Sequence, residues 1–369
     1  MKRKCDQDHD VAPGRIAFGS VEKRIVAIAL GSFVSLTSVH AQEMSFLELV
    51  KSGAPQAIQA AITGGADVNS KDIDGETALM YAAGNNPNPE VITTLVRDGA
   101  DISAREDGRT ASFFGKAGWT ALMYAAGFNN QNPDVITALL KAGADIEARN
   151  AFGYTALMLA GCVNQNPEVS TTLLKAGANM EAQDTEGWTP LMHAAGNPNP
   201  EVIKVFLRAG ADIKTRDRDG ATALMLAAKY NPNPEVITTL LEAGSDIEAR
   251  DKDGSTALML AAGWNENPEV ITTLMKAGAV VTVRQAEGAT PLMYAARFNR
   301  NPDVITALLE TGVDAKTQDK WGKTAFAYAQ DNERLKSADA YWKLYEAQYW
   351  TTTDSPLRSP AAGPIRTSP

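Results

Sequence analysis

Few side chains in this chain of 369 residues could act together as nucleophile, base or metal ligand. Cys162 and His193 are the only cysteine and histidine beyond residue 41. A thiol beside an imidazole can form a nucleophilic pair, so these two are the candidates for an enzyme or small-ligand site. One histidine and one distant cysteine lack the spacing of a metal site. With no partner set visible in the sequence, we interpret Cys162 as a small packing residue and His193 as a variable surface or packing residue.

Two acidic turns offer the carboxylate oxygens that calcium prefers, at Asp217 and Asp219 and again at Asp251 and Asp253. They lack the loop length and the terminal glutamate of an EF-hand, so ordinary turn chemistry explains them better. The glycines fall at expected turn tips and helix ends and do not form a phosphate-binding loop. The sequence therefore predicts no catalytic residue, no metal site and no cofactor.

A repeated string must position any site in this chain. Thr-Ala/Pro-Leu-Met recurs seven times, each followed by a polar loop, Asn-Pro-Glu/Asp-Val and a leucine-rich run that ends in Gly. A worn eighth copy follows, and the spacings are 43, 35, 34, 33, 34, 34 and 34 residues. The threonines are Thr77, Thr120, Thr155, Thr189, Thr222, Thr256, Thr290 and Thr324. A period in the low thirties predicts a solenoid of stacked units, which has no single closed pocket.

Residues 251–284 show what one unit contains. Gly254 suits a tight turn, and Thr256 stands where a helix N-cap belongs. A short apolar helix follows, and a second helix is expected to open at Pro268, because proline is accepted at the first helical position. Gly278 can adopt the left-handed conformation that closes this second helix. The predicted unit is turn, short helix, loop, longer helix and turn.

The strings Gly-x-Thr-Ala/Pro-Leu-x-x-Ala-Ala and Val-Ile-x-x-Leu-Leu-x-Ala-Gly-Ala-Asp-Ile resemble the ankyrin repeat over about residues 45–345. The resemblance implies an all-α ankyrin-repeat solenoid of helix-turn-helix units joined by hairpin-like loops. In two departures, Asn-Pro replaces the family's Gly-His loop, which suggests a bacterial type of repeat, and Met replaces its His. Apolar packing is therefore expected to replace the family's Thr–His hydrogen bonds. These methionines are Met80, Met123, Met158, Met192, Met225, Met259 and Met293.

The repeat also divides the chain into segments. We expect a leader over 1–41, an N-terminal cap over 42–75, seven repeats over 76–323, a capping repeat over 324–349 and a disordered tail over 350–369. The spacing of 43 residues predicts an insertion at one hairpin tip, about 105–118. Long loops in compact arrays are often functional, whereas a neutral insertion is the alternative.

Residues 21–41 resemble a secretory signal, with Lys23-Arg24, an apolar run over 25–36 and the small-residue site Val39-His40-Ala41. Cleavage there would start the mature chain at Gln42 and make the protein exported, either periplasmic or secreted. The alternative, an uncleaved anchor, is disfavoured because the apolar run is short for a membrane span. A further hypothesis is that translation starts at Val21.

Net charge and cysteine content limit the classes of partner and the kinds of cross-link that we expect. The net charge is −9, and it becomes −11 without residues 1–41, which carry six basic and four acidic side chains. An acidic chain is a poor partner for nucleic acid or an anionic membrane, and no insertion into a membrane is expected after signal cleavage. With one cysteine beyond the leader there is no disulfide framework, and a monomer is expected.

The positions that vary between repeats indicate a binding surface. By resemblance, ankyrin repeats bind partners through the hairpin tips and the concave first-helix face, and aromatic residues fall on both places. The candidate partner-binding residues are Trp119, Phe128, Phe152, Tyr154, Trp188, Tyr230, Trp264, Phe298 and Trp321. The first-helix tyrosines Tyr81, Tyr124, Tyr294 and Tyr328 could equally pack between repeats.

The sequence thus predicts a non-catalytic scaffold that binds a partner protein. Two alternatives stay open. One is a secreted effector that acts on host proteins. The other is a small-ligand binder or enzyme that uses Cys162 and His193, which lie one repeat apart.

Overall fold

The structure is a computed structural model that describes residues 46–107, 117–128 and 131–349. The predicted leader, the predicted tail and most of the predicted insertion lie outside these residues. Within the described ranges every regular element is a helix, and the only β-type pairing is an isolated bridge between Lys71 and Thr77. The predicted all-α repeat fold is confirmed.

The helices fall into two compact units, 46–246 and 247–349 among the described residues. The first unit contains α1 46–52, α2 Pro55–Thr63, α3 Ala78–Asn85, α4 Pro89–Arg97, α5 Ala121–Gly127, α6 Pro133–Lys141, α7 Ala156–Val163, α8 Pro167–Lys175, α9 Pro190–Ala194, α10 Pro200–Arg208, α11 Ala223–Tyr230 and α12 Pro234–Glu242. The second contains α13 Ala257–Trp264, α14 Pro268–Lys276, α15 Pro291–Phe298, α16 Pro302–Leu309, α17 Ala325–Ala329 and α18 Asp339–Tyr349. In each repeat except the last, where α18 begins at Asp339, the second helix begins at a proline.

The threonine of each repeat signature is the N-cap of its first helix. Thr189 Oγ1 accepts a hydrogen bond from the backbone N–H of Met192 at 3.4 Å, and most other repeats make the same bond. Thr256 occupies the same N-cap position but makes no side-chain cap bond. The second helices are capped by asparagine instead; Asn199 Oδ1 accepts from the N–H of Glu201 at 3.1 Å. These caps satisfy N–H groups that have no partner within a helix.

The signature methionine is a core residue in every repeat. All seven are at most 2% exposed, so the predicted apolar packing is present. The sulfur also has a polar role that the sequence did not predict. Met80 Sδ lies 3.4 Å from the backbone nitrogen of Thr77, and Met158 Sδ lies 3.5 Å from that of Thr155. The thioether, a weak acceptor, therefore receives an N–H at the helix entrance as well as filling the core.

In most of the described repeats, an asparagine after the first helix hydrogen-bonds to the repeat before it. Asn197 is fully buried, and its Nδ2 donates to the carbonyls of Gly161 and Asn164, both at 2.9 Å. Its Oδ1 accepts from the N–H of Asn199 at 3.0 Å. The next asparagine makes a second link, because Asn199 Nδ2 donates to the carbonyl of Gln165 at 2.8 Å. We call the bonds made by the first of these asparagines the asparagine clamp.

The same clamp recurs in both units. In the first unit Asn231 Nδ2 donates to the carbonyls of Ala195 and Asn197. In the second unit Asn299 donates to Ala262 and Asn265, and Asn332 donates to Ala296 and Asn299. Carbonyls at first-helix ends and in the loops need partners when they are buried, and the clamp provides them from the following repeat.

We expect Asn197→Ala to lower the free energy of unfolding by about 3 kcal/mol, since it removes three hydrogen bonds worth about 1 kcal/mol each and leaves buried carbonyls unmet. Chemical denaturation followed by circular dichroism measures this. The control is Asn85→Ala, because Asn85 is exposed and donates only to the carbonyl of Tyr81. Equal losses for the two variants would contradict a clamping role.

Candidate functional site

The hairpin tips are held by a carboxylate or amide that closes the turn. Asp184 Oδ1 accepts from the backbone N–H of Glu186 at 2.8 Å and of Trp188 at 2.9 Å. Gly187, with φ at 84°, supplies the left-handed residue of this turn. The equivalent acceptors in other repeats are Asp72, Asn150, Asp217, Asp251 and Asp319. Turn chemistry thus accounts for the acidic turns.

In some repeats the second carboxylate oxygen of this turn residue accepts from a first-helix side chain. Tyr81 Oη donates to Asp72 Oδ2 at 2.6 Å, and Tyr328 Oη donates to Asp319 Oδ2. In the repeat between Thr189 and Thr222 a histidine takes the tyrosine's place. His193 Nε2 lies 2.8 Å from Asp184 Oδ2. These bonds tie each tip to the helix behind it.

The remaining first-helix tyrosines also have polar partners. Tyr124 Oη donates to Glu76 Oε1 at 2.6 Å, and Tyr294 Oη lies 3.0 Å from the hydroxyl of Ser255. Tyr124 and Tyr328 are buried, whereas Tyr81 and Tyr294 are partly exposed. Tyr124 and Tyr294 therefore hydrogen-bond to the preceding repeat, and Tyr81 and Tyr328 to the turn before their own helix.

The predicted aromatic residues differ in their exposure. Phe152, Phe298 and Trp321 are exposed, at 44%, 39% and 54%. Five others are half-buried: Phe128, Tyr154, Trp188, Tyr230 and Trp264. The structure therefore leaves eight of the nine candidates at least partly accessible.

Trp119 is the exception, and the expectation that it is exposed is wrong. Only 4% of this residue is exposed, and its ring packs edge-on against Tyr124 and Phe128 at 5.4 and 5.6 Å. Gly127 makes the room, since a Cβ built there would lie 3.3 Å from the indole ring. The comparison of repeats at single positions did not predict this, because the burial of Trp119 involves a second position, Gly127.

In the first unit the aromatic residues of three consecutive repeats form a connected group. Tyr154 meets His193 edge-on at 5.0 Å, and Trp188 lies 5.3 Å from His193 and 6.4 Å from Tyr230. Phe152 lies 6.2 Å from Tyr154 and extends the group to the tip. We call Phe152, Tyr154, Trp188, His193 and Tyr230 the Trp188 cluster.

The second unit carries aromatic rings paired with cations. Trp264 stacks on Phe298 with centroids 5.1 Å apart, and Tyr294 meets both rings edge-on. The Arg297 guanidinium lies 4.7 Å from the centre of the Phe298 ring, and Lys320 Nζ lies 4.6 Å from that of Trp321. Cation–π contacts of this kind are attractive even at exposed sites. The sequence comparison did not single out these cations.

A family model described as ankyrin repeats, three copies, matches the chain at 46–150, 122–217, 157–251, 192–285, 224–319 and 258–346. The chain belongs to the ankyrin-repeat family. A comparison with curated proteins found no match. Ankyrin repeats generally mediate protein–protein interaction and are typically not catalytic. The aromatic residues of this ankyrin array are therefore candidates for contact with a partner protein.

Two further observations bear on what the described part of the array can do. Among residues 46–107, 117–128 and 131–349, no group of three or more His, Cys, Asp or Glu side chains is arranged to hold a metal ion. In those same ranges no helix combines the length and the apolar character that crossing a membrane requires.

His193 and two residues near it, Asp184 and Tyr154, have shifted pKa values. Burial by itself would lower the pKa of this imidazole, but hydrogen bonds with Asp184 and Cys162 outweigh it and raise the pKa to about 9. Asp184 is also buried, which opposes its ionisation, yet the bond to His193 leaves the pKa of its carboxyl below the ordinary value. Burial, with the nearby Asp184 and Cys162, raises the pKa of Tyr154 to about 12.

Of the two interpretations of His193, a surface or a packing residue, the structure shows a buried residue, with a partner that the sequence did not reveal. Its side chain is buried, and Asp184 and Cys162 both interact with it. Cys162 lies at the end of α7, Asp184 lies in the turn of the next repeat, and His193 lies on α9, the first helix of that repeat. A contact of this kind could be found from the sequence only by aligning all three positions across two repeats.

We expect the stability of the chain to depend on the charge of His193. The folded pKa of about 9 lies above the unfolded value of about 6.5, so the stabilisation is fully present below about pH 6.5 and is lost as the pH rises through 9. The free energy of unfolding should fall by about 3 kcal/mol between about pH 6 and about pH 9.5.

The matched control is His193→Tyr, which installs the residue that other repeats use to bond the same carboxylate. Urea denaturation at both pH values measures the change. If the variant loses as much stability with rising pH as the unmodified chain, titration of His193 is not the cause.

Proposed function

We propose that this protein is a non-catalytic scaffold that binds a partner protein through the hairpin tips and the first-helix faces. One observation carries the proposal. Large aromatic side chains stay partly exposed at tip and helix-end positions where other copies of the repeat have small or polar residues such as Asn, Ser, Ala, Asp or Glu. The residues concerned are Phe152, Tyr154, Trp188, Tyr230, Trp264, Phe298 and Trp321. Because the fold accepts small or polar residues there, the aromatic groups are best explained by contact with another molecule.

The rings are held in place before any partner arrives. Asp184 fixes the turn that carries Trp188, and Asp319 accepts the backbone N–H of Trp321 at 2.9 Å. The side chains also restrict one another, since Trp264 stacks on Phe298 and Trp188 borders His193. Binding to such a surface loses little conformational entropy, which leaves more of the interaction energy for affinity.

The second unit indicates the chemistry of the bound segment. Arg297 and Lys320 lie over Phe298 and Trp321, and Lys323 Nζ lies 5.0 Å from the ring of Tyr328. Lys320 and Lys323 already pair with Glu287 and Asp331. A segment that fits this surface would therefore offer apolar side chains to the rings and a carboxylate to Arg297. We therefore propose a partner segment that combines apolar and acidic residues.

We expect Trp321→Ala to weaken partner binding by about tenfold or more, as truncation of an aromatic anchor commonly does. Affinity capture with the full chain and mass spectrometry would supply the partner, and titration calorimetry would then measure Kd. Trp342→Ala is the control, because Trp342 is also tryptophan and is 50% exposed, but it lies on α18. An equal loss for both variants, or no loss for Trp321→Ala, would contradict the proposed surface.

The same comparison applies to the first unit with Tyr230→Ala. Tyr230 is half-buried at the end of α11, and Lys229 Nζ lies 4.8 Å from the centre of its ring. We expect binding to weaken while the melting temperature changes little. A large fall in the melting temperature would show that Tyr230 is a packing residue.

We further propose that the protein is exported and that its signal is removed after Ala41. The support is the charged pair Lys23-Arg24, the apolar run over 25–36 and the small residue at the cleavage position. N-terminal sequencing of the exported protein is expected to begin at Gln42, and recovery of the chain with residues 25–36 retained would contradict it. Capture of partners from the periplasm and from host extracts distinguishes a resident scaffold from a secreted effector.

A further inference from the structure

At several junctions between successive repeats, a side chain in the loop after one second helix accepts a hydrogen bond from a backbone N–H in the loop after the next second helix. Glu147 Oε1, for example, accepts from the N–H of Asn179 at 2.7 Å. The other described pairs, acceptor first, are Asn69 and Asp101 at 2.8 Å, Glu181 and Asp212 at 3.1 Å, and Glu248 and Val280 at 2.8 Å. This backbone N–H therefore points toward the preceding repeat, which supplies its acceptor.

At the junction between the loops after α4 and α6, serine stands where the acceptor stands elsewhere. Ser103 is the counterpart of Asn69 and Glu147 in the repeat. Its hydroxyl donates to Asp101 Oδ1 at 2.6 Å, within its own loop. Among the described residues none accepts from the N–H of Asp145, which is the donor position of this junction. The short serine thus leaves this N–H without the bond that the other pairs make.

Ser103 and Asp145 line a pocket of about 140 Å³ between the two repeats. Ile102 and Ala148 are also in its lining and give it apolar walls. A cavity of about 150 Å³ can hold a molecule the size of benzene, so this space suits one side chain. The pocket therefore lies where a glutamate side chain reaches across at other junctions.

The charges around the pocket suit an anion. Arg105 lines it, and its Nη1 donates to the carbonyls of Gly118 and Arg149 at 3.0 and 2.8 Å, which holds the guanidinium in place. Its other N–H groups can donate to a carboxylate. The carboxylate of Asp145 itself does not prevent this, because Glu181 accepts from the N–H of Asp212, which is also an aspartate.

We propose that this pocket is a subsite for a glutamate side chain of a partner protein, which accepts from the N–H of Asp145 and lies beside Arg105. The subsite rests on the proposed function, since the glutamate belongs to the bound partner. Its carboxylate takes the position toward Asp145 that Glu147 takes toward Asn179. Glutamate is favoured over aspartate because three of the four described acceptors at these junctions are glutamates.

The first test uses N-acetyl-glutamate N-methylamide as the probe and needs no partner. The isotope-labelled full chain is titrated with it, and the amide signal of Asp145 is followed by NMR. We expect a saturable shift with a millimolar Kd, as suits so small a ligand. N-acetyl-leucine N-methylamide is the control and should give no such shift. An Asp145 signal that does not shift, or that shifts equally with both probes, would overturn the proposal.

Ser103→Glu installs the acceptor that other junctions contain and should fill the subsite from within the chain. We expect it to weaken probe binding by about tenfold or more and to raise the melting temperature by about 2–4 °C, through the added hydrogen bond. Ser103→Thr is the matched control, because Thr282 has this position in another repeat and makes no such bond among the described residues. Ser103→Asn, which copies Asn69, decides if Ser103→Glu does not fold.

The same variants are then measured against the captured partner. Ser103→Glu should weaken partner binding by about tenfold, whereas Ser103→Thr should leave it unchanged. Unchanged binding by Ser103→Glu together with a loss for Trp321→Ala would overturn the subsite and leave the proposed function standing. A loss for Ser103→Glu without one for Trp321→Ala would support the subsite and contradict the aromatic surface.

Discussion

The asparagine clamp is the interaction on which the rest of each unit depends. In the first unit, the amide of Asn197 supplies two carbonyls of the preceding repeat and holds its own loop through Oδ1. An amide can do this because it has two donor hydrogens and an acceptor oxygen in one plane. The clamp fixes the spacing between first helices, and that spacing decides whether side chains such as Trp188 and Tyr230 can touch. The face that carries these aromatic rings is therefore positioned from the loop side of the repeats, away from the tips.

The tip is fixed in a second and separate way. One carboxylate both closes the turn and accepts a hydrogen bond from the first helix, as Asp72 does with Tyr81 and Asp184 with His193. The turn therefore cannot move without moving the helix behind it. A tip that is tied down in this manner can present large rings to solvent with little mobility. In the repeat that has histidine, the same bond joins a titratable imidazole to the turn.

The sequence predicted those parts of the structure that each repeat determines by itself. Thr189 and Pro200 marked helix starts correctly, and the burial of Met192 followed from its place in the signature. Features that join two repeats were missed. The buried hydrogen bonds of Asn197 were not predicted, because its partners are in the preceding repeat. Trp119 was misjudged because its burial depends on Gly127.

The clamp also gives the array a direction. Every described clamp donates from the later repeat to carbonyls of the earlier one. A whole repeat inserted between two others would bring its own donor and offer its own carbonyls, so lengthening by duplication of complete units preserves every bond. A repeat without this asparagine, by contrast, would lack the clamp and would keep only the link that the second asparagine makes, as Asn199 does to Gln165. The copy that begins at Thr324 lacks the methionine of the signature but has Asn332, which donates to two carbonyls of the preceding repeat. A unit can therefore make the clamp without the methionine.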